Sequence, residues 1–228
     1  MPYQLALNLP TRAARGRASF FVSDANAEAL SFIDHPERWP HSKLVLVGAA
    51  GTGKTHLAHV FAEATGADIL GGAELAASDP ETLADVGTVV VDNAQQVAGD
   101  AVGETILFHL HNLLAAQAGA LLLTATEAPA QWDIGLPDLR SRLEAATVAR
   151  LNVPDDALLA AVLVKLFDDR QIDVAPRIIE YLLPRMPRSL SEAQIVVNDL
   201  DRAALETGSK ITLKIARAAL DNHGFAST

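Results

Sequence analysis

The chain has 228 residues, half of them apolar, enough for one domain of ordinary size with a small one beside it and for a real buried core. Its 18 basic against 28 acidic residues leave a net charge of −10, a field that repels nucleic acid and disfavours free-standing DNA binding. The lack of cysteine excludes a disulfide framework and thiolate metal sites, and no apolar run approaches the span of a membrane helix.

The opening, MPYQLALNLPTRAARGR, holds an apolar stretch too short for a signal peptide, followed rather than preceded by basic residues, so a cytoplasmic location is expected. Residues 1–18 carry Pro2, Pro10, Arg12, Arg15, Gly16 and Arg17 with no helical period, the pattern of an extended, mobile tail. Within the tail, Gln4-Leu5-Ala6-Leu7-Asn8-Leu9 alternates apolar residues after a glutamine. A peptide whose amide hydrogen-bonds a partner while Leu5, Leu7 and Leu9 fill a groove has this spelling, and so does a short edge strand.

Residues 19–152 alternate short apolar runs with helical patterns. The runs Leu44–Val47, Asp68–Leu70, Thr88–Val91, Ala120–Leu123 and Thr147–Leu151 read as five strands, mostly short apolar runs of the kind buried in parallel sheets. Between the first two, Leu57, Val60, Phe61 and Ala64 fall at helical spacing over Thr55–Ala64, with Gly66 as the stop. Such alternation predicts an α/β fold, a five-stranded parallel sheet sandwiched by helices. In residues 153–228 the strand signal ends. Asp155–Phe167, Arg177–Leu183, Ser189–Thr207 and Thr212–Asn222 read as helices of a small all-helical lid, with Asp155 or Asp156 capping the first, Ser189 or Ser191 the third, and Gly208 ending the third.

The strongest chemical signal is Gly48-Ala49-Ala50-Gly51-Thr52-Gly53-Lys54-Thr55, a full G-x-x-x-x-G-K-T between an apolar strand and an amphipathic helix. A chance match in a chain of this length is about one in a hundred before that context is required. In such a P-loop the glycines turn backbone amides inward around phosphates, the helix start adds partial positive charge, Lys54 reaches the terminal phosphates and Thr55 ligates Mg2+. Val89-Val90-Val91-Asp92 is a buried strand ending in a carboxylate, placed to hold the magnesium's shell as a Walker B acid. Asn93 follows it. An asparagine positions water but accepts no proton from it, so the chain's own hydrolysis is expected to be slow.

Thr124 and Thr126, at the end of the fourth apolar run, are both candidates to offer a hydroxyl to the γ-phosphate or the attacking water, as a sensor 1 residue does. Leu136-Pro137-Asp138-Leu139-Arg140-Ser141-Arg142-Leu143 puts two arginines on a surface segment before the last strand. Either suits an arginine finger, while surface solubility or a salt bridge to Asp138 or Glu144 is the plain structural alternative and the stronger one on these residues alone. Arg188 stands just before a helix start, where a cation is unfavourable unless an anion sits beside it, and where a lid can lower it onto phosphates as a sensor 2 residue. His56 and His59, or His109 and His111, have no acidic partners at metal-ligand spacing.

Together these residues resemble the nucleotide-binding AAA+ module of the replication initiator DnaA, and are most similar to the Hda proteins, which consist of that module without a DNA-binding domain. The likeness runs from about Phe20 to the end. It rests on Ser23-Asp24-Ala25-Asn26, the P-loop, Val91-Asp92-Asn93, the segment from Gly135 to Leu143, and Arg188 with Leu200-Asp201-Arg202. The resemblance implies an adenine pocket near Phe20, Phe21, Val22 and Asn26. It places ADP or ATP and Mg2+ among Gly48, Gly51, Thr52, Gly53, Lys54, Thr55, His56, Asp92 and Arg188.

It further implies partners: the tail from Gln4 to Leu9 would bind the replicative sliding clamp, and Arg142 would enter the site of ATP-bound DnaA in trans and promote its hydrolysis. The lack of a helix-turn-helix domain after residue 228 fits a protein that gets to DNA only through its clamp, with self-association left open. The competing expectation is a stand-alone AAA+ ATPase, a helicase loader or remodeller, against which Asn93 argues. A metabolic P-loop kinase would need a second-substrate pocket and a phosphate-clamping lid that the sequence does not offer.

Overall fold

The computed structural model describes residues 21–208 and 210–225. The five apolar runs form one parallel sheet of β1 (Lys43–Val47), β2 (Asp68–Gly71), β3 (Thr88–Asp92), β4 (Ala120–Ala125) and β5 (Thr147–Arg150), in the order β2-β3-β4-β1-β5. Parallel neighbours need crossovers, and helices supply them on both faces. α1 (Ala27–Ile33) and α2 (Lys54–Thr65) cover one face; α3 (Pro80–Asp85), α4 (Ala101–Ala116) and α5 (Pro137–Glu144) cover the other. The α/β expectation holds.

Two-sided burial explains why β1, β3 and β4 read as apolar runs, whereas the edge strands β2 and β5 are only partly buried and carry the exposed Asp68 and Arg150. Leu44, Leu46, Val90 and Leu122 point into the core beneath α1 and α2, whereas Val45, Val47, Val89, Val91, Leu121 and Leu123 point into the core beneath α4 and α5. Each such side chain contributes about 1.5–3 kcal/mol by leaving water, so a polar residue at any of them would be costly. β4 extends to Ala125, two residues past the sequence reading, because Thr124 and Ala125 pair in register with Leu46 and Val47. That register brings the Thr124 hydroxyl level with the end of β3.

α6 (Asp156–Asp168), α7 (Pro176–Leu182), α8 (Leu190–Thr207) and α9 (Leu213–Asn222) pack around a core of their own, centred on Leu163, Phe167, Ile178, Val197 and Leu220. The two alternatives for each cap resolve to one residue. Asp155 caps α6, its Oδ1 accepting from Leu158 N at 2.7 Å, and Ser189 caps α8, its Oγ accepting from Glu192 N at 3.3 Å. Asp156 and Ser191 are thereby left for other contacts. Gly66 and Gly208 end α2 and α8 in the left-handed conformation that glycine adopts without a Cβ penalty. Among the described residues no helix is long and apolar enough to cross a membrane.

Candidate functional site

The P-loop leaves the carboxyl end of β1, with Gly48 N–H donating to Ala125 O at 3.1 Å on one side. Gly51 and Gly53 have φ of +76° and +99°, which a side chain would strain, and a Cβ on Gly48 would stand 2.7 Å from Leu151 O. Lys54, the first residue of α2, is 6% exposed and turns back over the loop, donating from Nζ to Gly48 O at 2.7 Å and to Ala49 O at 2.9 Å. Burial lowers its pKa and the negative charge of Asp92 opposes that. An ammonium held by carbonyls only, with a carboxylate across the cleft, is positioned to exchange those carbonyls for an anionic oxygen.

Asp92 ends β3 opposite the start of α2. Thr55 Oγ1 donates to its Oδ2 at 2.9 Å, and Thr124 Oγ1 donates to its Oδ1 at 2.5 Å. The buried Thr124 hydroxyl also accepts Asn93 N–H at 2.9 Å, so it orients the end of β3 rather than the space above the loop. Thr126 lies beyond β4 and is exposed. Asn93 takes φ 54° and ψ 46°, a left-handed conformation in which asparagine is among the favoured side chains, and its Nδ2 donates to Asp92 Oδ2 at 3.1 Å. A glutamate there would set two carboxylates side by side. The fit to a magnesium ion is good in kind: one hydroxyl and one carboxylate, already adjacent, at the mouth of a loop whose close approaches leave no room for a Cβ at Gly48 or Gly51.

The amino-terminal segment joins this end of the sheet through β5. Leu151 N–H donates to Val47 O at 2.8 Å and Asn152 N–H to Ala25 O at 2.8 Å, which sets Phe21–Asn26 next to the loop's entry. Asn26 is 5% exposed and both ends of its amide are used internally: Oδ1 accepts Ser23 N–H and Nδ2 donates to Phe21 O, each at 2.9 Å. It shapes the segment. Phe21 is half-buried and Val22 is 54% exposed, leaving apolar surface free. His56 is exposed on α2; local desolvation, then the positive charges of Lys165 and His59, hold its pKa below the usual imidazole value. Phe20 and the tail residues Gln4, Leu5, Leu7 and Leu9 lie outside the described residues.

Arg140 and Arg142 are both exposed on α5, but they are engaged differently, and neither pairs with Asp138 or Glu144. Arg140 Nη2 donates to Ile134 O, near Glu104, whose carboxylate accepts Gly99, Gly135 and Leu136 N–H groups. The Arg142 guanidinium lies 5.3 Å from the centroid of the Phe108 ring on α4. Arg142 thus projects from the helical layer across the sheet from α2 and the P-loop. Arg188 is paired with Asp156, Nη2 to Oδ1 at 2.9 Å.

Two contacts have no counterpart in the sequence reading. Leu190 N–H donates to Gly51 O at 2.7 Å, and a Cβ on Gly51 would overlap Ser189 Oγ, so the start of α8 rests on the glycine loop. Ser189 was legible as a cap, but nothing in the residues marks its packing against a loop so far away in the chain. The second is the Thr124 bridge, visible only once the register of β4 is known.

A parallel sheet in the order β2-β3-β4-β1-β5, with a glycine loop after β1, an acid ending β3 two strands away and a helical unit resting on the loop, defines a P-loop module of the AAA+ fold. No protein-family model matches the chain. Among solved structures it is similar to domain III of the Thermotoga maritima replication initiation protein DnaA, at 20% identity and a TM-score of 0.78, over 96% of this chain and 100% of that one. It is also similar to a replication initiator DnaA bound to AMPPCP and single-stranded DNA, at 18% identity and a TM-score of 0.67, covering 84% of this chain and 67% of that one. AMPPCP-bound DnaA from Aquifex aeolicus gives 20% identity and a TM-score of 0.67, over 82% of this chain and 65% of that one. At these identities the likeness establishes a DnaA-type AAA+ fold.

Proposed function

We propose that the chain is an adenine-nucleotide-binding regulator of replication initiation, which acts on ATP-bound DnaA and stimulates hydrolysis there through Arg142. ADP or ATP would sit on the P-loop, with its phosphates on the inward amides, Lys54 and Arg188, and its base against Phe21 and Val22. The DnaA structures that share this fold and hold AMPPCP support the choice of an adenine nucleotide. Thr55 and Asp92 would hold Mg2+, which when bound neutralises phosphate charge.

The observation that carries the regulatory reading is the position of Arg142. α2 and the P-loop pack on one face of the sheet and α4 and α5 on the other, so an arginine on the outside of α5 faces away from the chain's own nucleotide site. A phosphate that met it there would belong to a second molecule. Asn93 supports the same division of labour, because the amide is held by Asp92 and accepts no proton from water. An arginine finger supplied in trans contributes about three to five powers of ten in rate. The tail from Gln4 to Leu9 would carry the protein to the sliding clamp.

The test mixes the protein with ATP-loaded DnaA and clamp-loaded DNA and follows loss of ATP. The wild type is expected to accelerate it, Arg142→Ala to bind the clamp without accelerating it, and Gln4→Ala with Leu7→Ala to lose the clamp while keeping nucleotide. Steady hydrolysis of several turnovers per minute by the purified chain alone would favour the stand-alone ATPase instead.

A further inference from the structure

The cation at the start of α8 already has an anion, and it belongs to the protein. Arg188 Nη2 is 2.9 Å from Asp156 Oδ1, and Nη1 donates to Pro154 O at 3.4 Å, which ties the entry of α8 to the entry of α6. The next residues of the same turn face the loop instead. Leu190 N–H is bonded to Gly51 O, and Ser189 Oγ fills the place of the missing Gly51 Cβ. Arg188 is thus one residue from a side chain in contact with the phosphate loop. Consecutive Cα atoms stand about 3.8 Å apart, less than the length of an arginine side chain. The side chains of Arg188 and Asp156 are 51% and 66% exposed, so changing rotamer meets little obstruction and needs no movement of α8.

We propose that Asp156 is a built-in competitor for Arg188. One guanidinium serves two anions in turn, the Asp156 carboxylate when the loop is empty and the nucleotide's outer phosphates when it is filled, and nucleotide affinity is lowered by the carboxylate it has to displace. Asp155 is the cap that α6 requires, so the second aspartate is not needed to start the helix. The inference rests on the nucleotide site proposed above and adds to it a residue that sets its affinity. Because the pair is half exposed, the competition is modest and salt-sensitive.

The experiment titrates ADP and a non-hydrolysable ATP analogue into wild type, Asp156→Asn, Arg188→Ala and the double variant, at low and high salt, with circular dichroism to verify folding. Asp156→Asn is expected to tighten binding of the ATP analogue about two- to fivefold at low salt and less at high salt. In the Arg188→Ala background the same substitution should change affinity by less than a factor of about 1.5, since the competing cation is gone. Equal tightening in both backgrounds would mean that Asp156 repels phosphate directly, and an unchanged Asp156→Asn affinity would mean that it does nothing; either result overturns the competition while leaving the nucleotide site in place. A folded wild type that binds neither nucleotide overturns the site itself.

Discussion

The two ends of β1 each have a lysine withdrawn from water, and the two are held in opposite ways. Beyond the carboxyl end, Lys54 is 6% exposed, has two carbonyl partners and faces the charge of Asp92. At the amino end, Lys43 is 4% exposed with one hydrogen bond, from Nζ to Gly119 O at 3.1 Å, and burial pushes its pKa down to about 8. Its surroundings make matters worse. His111, also buried, has its pKa pushed down to about 4, by burial first and then by the positive charges of Lys43 and Arg142. Burial of an ammonium is therefore no mark of a site by itself. What distinguishes Lys54 is a set of neighbours that leaves room for one more anion: glycine amides, a carboxylate with its hydroxyl, and a helix start.

The largest effect expected from that contrast is on binding. Lys54→Ala should weaken ADP and ATP binding by about 100-fold, the size of a lost charge-assisted contact, while unfolding of the nucleotide-free protein stays within about 1 kcal/mol of wild type. Nucleotide titration and denaturant melts measure the two separately. Retained affinity would erase the distinction between the two lysines.

Lys43→Met should do the reverse, raising stability by about 1–3 kcal/mol at pH 7 with nucleotide affinity unchanged. The pH dependence has a definite sign. Below pH 8 the wild type carries the whole penalty of a buried ammonium. Between about 8 and 10.5 the unfolded chain holds more protons than the folded one, so wild-type stability climbs with pH, and the variant lacks this climb. His111 acts in the acid range: the stability it contributes is complete above pH 6.5 and is lost as pH falls through the window down to about 4. Denaturant melts at pH 4, 7 and 10 separate the two groups.

Within the carboxyl-end cluster, Thr124→Val removes a hydroxyl that bridges Asn93 N–H and Asp92. Leaving that amide unpaired should cost about 1–2 kcal/mol of stability, and a loosened Asp92 should weaken magnesium-dependent ATP binding several-fold. A variant with full stability and full magnesium dependence would show that Asp92 needs no such support.

Features that depend on local spelling were legible in the sequence. The P-loop sits in eight consecutive residues, the inner strands in apolar runs that two-sided burial leaves almost without polar residues, and the caps in adjacent candidates beside their own helices, Asp155 or Asp156 and Ser189 or Ser191, with Gly208 as a stop. Features that need two distant segments to meet were not. Arg188 reads as a cation lacking an anion until α6 brings Asp156 to it, and Lys43, one residue before the run Leu44–Val47, draws no notice until Gly119 closes over it. The arginines of α5 are a middle case: Leu139 and Leu143 are the buried positions, so both Arg140 and Arg142 fall outside, and only the packing of α4 tells which one meets Ile134 O and which meets Phe108.

The same reasoning bears on Thr126, where the smallest effect is expected. It lies one residue past β4 and is exposed, whereas Thr124 is fully buried with two partners, although two residues of the same type at this spacing are equivalent on paper. Thr126→Ala removes no described hydrogen bond, so stability should change by less than about 0.5 kcal/mol and nucleotide affinity by less than about twofold. Measured beside Thr124→Val, it divides the two hydroxyls by what they do. If Thr126→Ala lowered affinity for the ATP analogue tenfold while leaving ADP unaffected, the γ-phosphate would be read from beyond the strand, and Thr124 would be reduced to a strut for Asp92. If neither moved affinity, the polar end of the sheet would rest on Lys54 and the loop amides alone.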